Sequence, residues 1–222
     1  MIIAEERLTS LEVRLADLEV REEIRSVLYL YCRAADRGDA ELMKSCYHPD
    51  GKDDHAFFNG TGWDFVDYVL PILAQLEVSI HSLSNPIIEL NGDQAFVETH
   101  WSVIHRLKRD TKMTDVWNQG RYLDLFERRD GHWKIHVRLA VLDAERWIDT
   151  ADMRRLIRDD DPYRSLMGQR GKGDPVYLKE RIGESLRKDT ALPDLWGPLK
   201  RGLLVPRIVL HGLGLIAQRS RH

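Results

Sequence analysis

The chain has 222 residues, of which 43% are hydrophobic and 31% charged, and its formal net charge is −3. This is the composition of a globular protein, long enough for one large domain or for one domain with an extension. The opening MIIAEERLTS lacks the apolar run of a secretory signal, and no stretch has the roughly 20 apolar residues of a membrane span. We therefore expect a cytoplasmic protein without a membrane span.

Charge is unevenly distributed, at −9 over residues 1–150 and +6 over residues 151–222. Acidic runs such as RDDDP interrupt the basic part, which favours packing against an acidic protein surface over nucleic acid. Cys32 and Cys46 form no CxxC pair, so we expect two buried thiols. Neither HExxH nor a Cys/His spacing typical of zinc is present, and we predict no metal and no other cofactor.

The first third of the chain predicts helices. One amphipathic helix is expected over residues 8–36, ended by RGD, and a short helix AELMKSCY follows it and stops at the turn HPDG. The segment DDH at 53–55 is interpreted as a solvated loop, and a third helix is expected over 63–76, where Pro71 kinks or divides it. The apolar stripe of the first helix recurs at three- and four-residue steps, through Leu11, Leu15, Leu18, Ile24, Val27, Leu28 and Tyr31.

The period then changes to two, which predicts strands. Four are expected, namely VSIHSLSNPIIEL, QAFVETHWSVIHRLK, DVWNQGRYLDLFER and WKIHVRLAVLDAER, with turns at NGD (91–93) and within RRDGH. Four antiparallel strands after a helical half predict an α+β fold, in which a curved sheet and its covering helices enclose a ligand cavity. This domain is expected to span 1–150. The Gly- and Pro-rich remainder, 151–222, predicts an extension packed on the body or on a neighbouring subunit.

Alternation along the second strand sorts its side chains into two faces. His100 shares one face with Glu98 and Ser102, and His105 shares the other with Trp101. Because the two histidines point apart, a two-histidine metal site is not expected here.

His81 is a structural histidine unless a carboxylate reaches it. If Asp36 does so, it would accept a hydrogen bond from one imidazole nitrogen, fix the tautomer and leave the other nitrogen as a base. Such a pair transfers protons without a metal, a nucleotide or a nucleophilic cysteine.

Several of these features together resemble the SnoaL-like branch of the nuclear transport factor 2-like superfamily. They are Tyr31 and Asp36 ahead of RGD, the segment HSLSNPIIELNGDQA, and the final strand DGHWKIHVR. The resemblance covers about residues 8–148. It implies a cone-shaped α+β fold with a deep pocket, assembled as a homodimer or homotrimer. In the lyases of this superfamily an Asp–His dyad performs elimination without a cofactor.

The resemblance also implies roles for individual residues. Asp36 resembles the dyad carboxylate, His81 the general base, Tyr31 a hydroxyl one helical turn before the carboxylate, and Arg138 a pocket arginine of the last strand. His100 has the face expected for a second histidine found in some of these lyases. The predicted substrate-binding residues are His55, Phe58, His100, Ser102, Trp117 and Arg121.

The implied function is a lyase acting on a hydrophobic hydroxylated aromatic or polycyclic substrate, with water, halide or formaldehyde as the leaving group. A lignin-derived diaryl compound is one candidate. A non-catalytic small-molecule-binding module, or a polyketide cyclase or isomerase, is the alternative. Epoxide opening is disfavoured, because Arg138 has no obvious paired carboxylates and Asp115 and Asp124 face opposite sides of their strand.

Overall fold

The computed structural model describes residues 2–109, 112–150 and 168–177, with side chains described from residue 5 onward. The helices are α1 (Ile2–Arg37), α2 (Ala40–Ser45) and α3 (Gly62–Leu73). The strands are β1 (Tyr47–Asp54), β2 (Asn59–Thr61), β3 (Val78–Asn91), β4 (Gln94–Arg109), β5 (Lys112–Arg129) and β6 (His132–Thr150).

The chain divides into two units. The first comprises Met1–Arg158 and Gly168–Asp174 and holds all these helices and strands. In the second, Asp159–Met167 and Pro175–His222, the described residues form one turn of 3-10 helix, Pro175–Tyr177. The predicted extension 151–222 thus lies outside the described residues except at 168–177, and its packing stays a prediction.

The six strands form one open, curved sheet in the order β2-β1-β6-β5-β4-β3. All neighbours are antiparallel except β1 and β6, which are parallel. The predicted α+β class is confirmed, and so are the four long strands.

The predictions of a turn at HPDG and of a solvated loop at DDH are wrong, because both segments belong to or adjoin β1. That strand has no apolar alternation, and its Asp53 is buried by accepting a hydrogen bond from the Tyr47 hydroxyl at 2.5 Å.

Both predicted hairpin turns are present. Gly92 has φ +61°, between the paired residues Asn91 and Gln94. Asp130 and Gly131 have φ +52° and +81°, which is the backbone of a tight two-residue hairpin turn.

Helix α1 carries two apolar stripes, where the sequence suggested one. Leu11 and Leu18 are 49% and 61% exposed, whereas Ile24 and Leu28 are 0% and 1% exposed. The six-residue step from Leu18 to Ile24 turns the helix by about 600°, so the second stripe points about 120° away from the first. The buried half of α1 therefore packs on the body, and the leucine stripe does not. Helix α3 begins at its cap Thr61 and runs through Pro71 without being divided.

The innermost polar group of the sheet is an ion pair. The Nε and Nη2 atoms of Arg138 donate to the two oxygens of Asp124, each at 2.7 Å, and both residues are 0% exposed. The guanidinium lies between the rings of Tyr31 and Tyr122, at 4.2 and 3.9 Å from their centroids. Burial acts to lower the pKa of Arg138, but the raising effect of the Asp124 carboxylate and its other neighbours is larger, so the pKa lies above its usual range. The expectation that Arg138 lacks a paired carboxylate is wrong, because a bulge between Leu125 and Phe126 brings Asp124 opposite it.

Removing one partner of this pair should destabilise the protein more than removing both. Asp124→Leu leaves a buried guanidinium uncompensated, which costs about 3–5 kcal/mol in such sites. The double variant Asp124→Leu/Arg138→Met should recover a large part of that loss in urea unfolding. Asp93→Leu, which breaks the exposed Asp93–Arg128 pair, is the control and should change stability little. Additive effects of the two core substitutions would contradict this account.

Candidate active site

Asp36 lies in the last turn of α1, where its carboxylate reaches the start of β3. Its Oδ1 is 2.6 Å from Nδ1 of His81 and accepts a hydrogen bond from the Ser79 hydroxyl at 3.1 Å. Its Oδ2 accepts from the backbone N–H of His81 at 2.9 Å. The structure therefore brings together the two residues that the dyad hypothesis requires.

This contact determines which nitrogen of His81 can act as a base. A carboxylate oxygen only accepts, so Nδ1 of the neutral ring carries the hydrogen and Nε2 keeps its lone pair. Nε2 hydrogen-bonds to no residue in the described part of the chain. The side chains of His81 and Asp36 are 10% and 12% exposed, so the pair is shielded without being sealed.

The second histidine beside His81 is His105, not His100. The rings of His81 and His105 are 5.8 Å apart at 70°. Burial and the neighbouring His81 lower the pKa of His105 to about 4, against a smaller opposing effect of Asp36. His105 is therefore neutral near pH 7, and its buried Nε2 has no hydrogen-bond partner among the described residues. His100 lies on the opposite face of β4 with half its side chain exposed, so its predicted place in the pocket is wrong.

Further polar atoms without partners lie on the face of the sheet that carries His105. In register, His81 pairs with Val103 and Val103 with Asn118, so one row leads from the dyad across three strands. The buried atoms on this face that have no hydrogen-bond partner within the described ranges include Trp101 Nε1, Thr99 Oγ1 and Asn118 Oδ1. Buried polar atoms are normally paired, so this row indicates a place where a ligand supplies partners. The sequence prediction missed Asn118, Thr99 and Trp101 as site residues.

The floor of the inner face is a tightly packed aromatic cluster. Trp101 stacks on Tyr122 at 5.7 Å and 30°, and Tyr31 meets Tyr122 edge-on at 5.9 Å. A Cβ at Gly120 would lie 1.9 Å from the Val141 carbonyl oxygen and 2.5 Å from the Trp101 ring, so no side chain fits there.

Two predicted catalytic residues lie within this floor. Tyr31 is 2% exposed and Arg138 0%. Burial raises the pKa of Tyr31, against a lowering by Arg138, so its hydroxyl stays protonated. Direct substrate contact by Arg138 is excluded by its enclosure, and Tyr31 supports the site from behind.

His55 and Phe58 lie on the aromatic side of the body, at α3. The His55 ring stacks on Phe65 at 4.1 Å, and its Nδ1 contacts the carboxylate of Asp53. Phe58 packs on Phe65 at 5.4 Å. Within the described chain no contact joins either predicted residue to His81, although His55 is 6.1 Å from Tyr122.

The remaining predicted substrate-binding residues lie on the outer face of the sheet. Trp117 donates from Nε1 to the Ser102 hydroxyl at 2.7 Å, and Arg121 pairs with Asp143 at 3.0 Å. His100 and Ser102 border a groove of about 370 Å³ on this side. Their assignment to the dyad's pocket is wrong, because the helices cover the other face of β4 and β5.

Cys32 and Cys46 are buried free thiols, as predicted. Burial raises their pKa to about 12 and about 11, against a lowering by Arg138. Over the described ranges, no group of three or more His, Cys, Asp or Glu side chains is placed to hold a metal ion. None of the described helices has the length and apolarity needed to cross a bilayer.

Comparison with known families gives a direct match. The model of the SnoaL-like domain matches residues 16–139, more than half of the chain. The chain belongs to the SnoaL-like family. The sequence matches no curated protein.

Solved structures show the same fold at low sequence identity. A proposed scytalone dehydratase from Novosphingobium aromaticivorans is 22% identical, covers 59% of this chain and 88% of its own, and superposes with a TM-score of 0.53. The dehydrochlorinase LinA-type3 from Novosphingobium barchaimii is 16% identical, with 61% and 94% covered and a TM-score of 0.55. A proposed aromatic ring hydroxylase from N. aromaticivorans is 19% identical, with 60% and 94% covered and a TM-score of 0.51. These similarities establish the nuclear transport factor 2-like cone for this SnoaL-like chain.

The depressed pKa of His105 should make stability depend on pH. The pKa of His105 is about 6.5 in the unfolded chain and about 4 in the folded one, so the unfolded chain binds more protons between these pH values. The free energy of unfolding is therefore highest above pH 6.5 and falls as the pH drops toward 4. The loss attributable to His105 is at most about 3 kcal/mol. His105→Gln should flatten this decline in urea unfolding at stepped pH, and His132→Gln, at an exposed turn, should not. An unchanged slope in His105→Gln would refute the assignment.

Proposed function

We propose that this SnoaL-like protein is a lyase that eliminates water, halide or formaldehyde by Asp–His general acid–base catalysis without a cofactor. The observation that supports this proposal is the 2.6 Å contact between Asp36 and Nδ1 of His81, with Nε2 of His81 left unbonded by the described residues. A carboxylate in this position fixes the tautomer and stabilises the imidazolium once the proton has moved.

The reaction begins when Nε2 of His81 removes a proton from an acidified carbon of the substrate. The electron pair of the broken C–H bond forms a C=C bond, and the group on the adjacent carbon leaves with its own electron pair. A departing hydroxide becomes water by taking a proton, for which the His81 imidazolium is a donor; a halide leaves unprotonated. For formaldehyde, the base takes the proton of a hydroxymethyl O–H and the C–C bond breaks, and its electron pair forms the C=C bond as a neighbouring hydroxyl leaves.

His105 takes the part that the sequence assigned to His100. It is neutral because its pKa is lowered to about 4, so it can hydrogen-bond the leaving oxygen without competing with His81 for the proton. Asn118 and Trp101, whose buried Oδ1 and Nε1 lack partners in the described residues, would orient the substrate along the same face. Tyr31 and Arg138 hold the base of the site from below, so they position the site without touching the substrate.

The substrate class follows from the inner face. Trp101, which is only partly buried and stacks on Tyr122, offers an aromatic surface, and the polar atoms beside it need hydroxyl or carbonyl partners. A hydroxylated aromatic or polycyclic compound fits both requirements, and a lignin-derived diaryl compound is one member of that class. The similar structures named for a proposed scytalone dehydratase and for a dehydrochlorinase are consistent with elimination.

Elimination should depend on the dyad and not on the outer face. We expect wild type to turn over at least one of three probes: a β-hydroxy aryl ketone, a diarylpropanediol and γ-hexachlorocyclohexane. Ultraviolet absorbance of the conjugated product, released formaldehyde and released chloride are the respective readouts. Asp36→Asn, which keeps the shape of the carboxylate, and His81→Ala should each lower kcat by on the order of 10²–10⁴-fold.

Two histidines of β4 give a matched test and control. His105→Ala, on the inner face, should lower kcat, whereas the control His100→Ala, on the outer face, should leave it unchanged. Equal turnover of wild type, Asp36→Asn and His81→Ala would reject the dyad. Conversion of a probe to an isomer without loss of a group would favour the cyclase or isomerase alternative.

A further inference from the structure

The segment Gly168–Asp174 is tied to the C-terminal end of α1. Asp174 pairs with Nε of Arg37 at 3.0 Å and accepts the backbone N–H of Gln169 at 2.8 Å. Lys172 pairs with Asp39 at 3.1 Å. Arg37 and Asp39 lie one and three residues after Asp36 in the chain, so these contacts hold the segment beside the dyad.

Arg170 lies between the anchors Gln169 and Lys172 in the chain. Its Nη1 and Nη2 atoms are buried and have no hydrogen-bond partner among the described residues. The guanidinium interacts electrostatically with Asp36 and His105. Burial lowers the pKa of Arg170, while Asp36 acts in the opposite direction. Two guanidinium nitrogens held out of water without hydrogen bonds are costly, which indicates that a ligand completes this site.

We propose that Arg170 binds a carboxylate of the substrate beside the dyad. This inference rests on the proposed function of the Asp36–His81 site. Two adjacent N–H groups of a planar guanidinium match the two oxygens of a carboxylate, which gives both charge neutralisation and orientation. The preferred substrate is thus an aromatic acid, bound with its carboxylate at Arg170 and its reacting carbon at His81, and neutral probes that lack the carboxylate bind more weakly.

Benzoate and its neutral counterpart benzamide test this assignment by calorimetric titration. Wild type should bind benzoate at least about tenfold more tightly than benzamide, and Arg170→Met should abolish the difference. Arg170→Lys should retain part of it, because the charge remains and the planar fork is lost. Arg146→Met, which removes an exposed arginine of the outer face, is the control and should behave as wild type.

The outcomes separate this inference from the lyase proposal. Equal affinity of wild type for the two probes, or unchanged discrimination in Arg170→Met, would overturn the role of Arg170. His81→Ala should keep the preference for benzoate, because the base is not needed for binding. An absence of elimination together with intact, Arg170-dependent discrimination would therefore defeat the lyase proposal alone.

A second inference comes from the leucine stripe of α1, which is independent of the site. Written as heptads, Leu8 and Leu15 occupy position a, and Leu11 and Leu18 occupy position d. All four are about half exposed, from 49% to 61%, so this stripe has no partner within the described part of the chain. Apolar a and d positions are the seam by which helices pair.

The charges that flank the stripe define the partner and its direction. Position e is Glu12 and Glu19, and position g is Arg7 and Arg14. In a parallel pair, each g residue meets the e residue of the following heptad, so Arg7 faces Glu12 of a second copy and Arg14 faces Glu19. In an antiparallel pair, like charges would meet.

We infer that Glu5–Arg21 pairs in parallel with the same segment of a second copy of this chain. Sedimentation at a series of concentrations should show a reversible dimer of the full chain. Leu11→Lys/Leu15→Lys should weaken it by more than about tenfold without changing unfolding of the body, because these side chains do not contact the core. Val13→Lys, on the helix but off the a and d positions, is the control.

Charge reversal tests the direction. Arg7→Glu/Arg14→Glu and Glu12→Arg/Glu19→Arg should each dimerise poorly alone and should form a mixed dimer when combined. A monomeric wild type, a dimer insensitive to the leucine substitutions, or failure of the mixture to associate would overturn the inference. Leucine-dependent binding of a monomeric wild type to phosphatidylglycerol vesicles would overturn it in favour of a membrane surface.

Discussion

The carboxylate of Asp36 accepts three hydrogen bonds from β3, and the arrangement of helix, sheet and His81 ring depends on them. Two of the donors, the Ser79 hydroxyl and the His81 backbone N–H, attach the end of α1 to the edge strand. The third donor is Nδ1 of His81, and its bond to Oδ1 of Asp36 fixes the tautomer of the imidazole. Charge-assisted hydrogen bonds offset the cost of taking a carboxylate partly out of water. One side chain thereby joins two elements of the fold and determines which imidazole nitrogen of His81 keeps its lone pair.

Sequence alternation correctly divided β4 into two faces but did not identify the inner one. The choice of His100 followed from resemblance, whereas the inward face is that of Val97, Thr99, Val103 and His105. Composition offered a usable signal, because the other face carries Glu98, Arg106 and Lys108 and has fewer apolar residues. A sheet covered by helices on one side buries its more apolar face. Ranking the two faces by apolar content would have found His105.

Other features could not have been read from the sequence. The register set by the turn at Asp130–Gly131 places Asp124 opposite Val137, and only the bulge moves it to Arg138. Bulges leave no reliable mark in a single sequence. Strand β1 was missed because it has no apolar alternation, and its buried Asp53 depends on a polar partner in the same strand, the Tyr47 hydroxyl. The contact between Asp36 and His81 could be predicted because the sequence clearly marks the end of the first helix and the start of the first long strand.

Gly120 limits how the inner face of this sheet can diversify. The Val141 carbonyl and the Trp101 indole occupy the space that a side chain at position 120 would need. Every larger residue would therefore collide with the backbone as well as with a ring. Substitution there would disrupt the sheet before it altered ligand preference. Descendants of this chain that accept differently shaped molecules would therefore vary at neighbours whose side chains can change in size, such as Leu83 and Asn118, and would keep residue 120 unchanged.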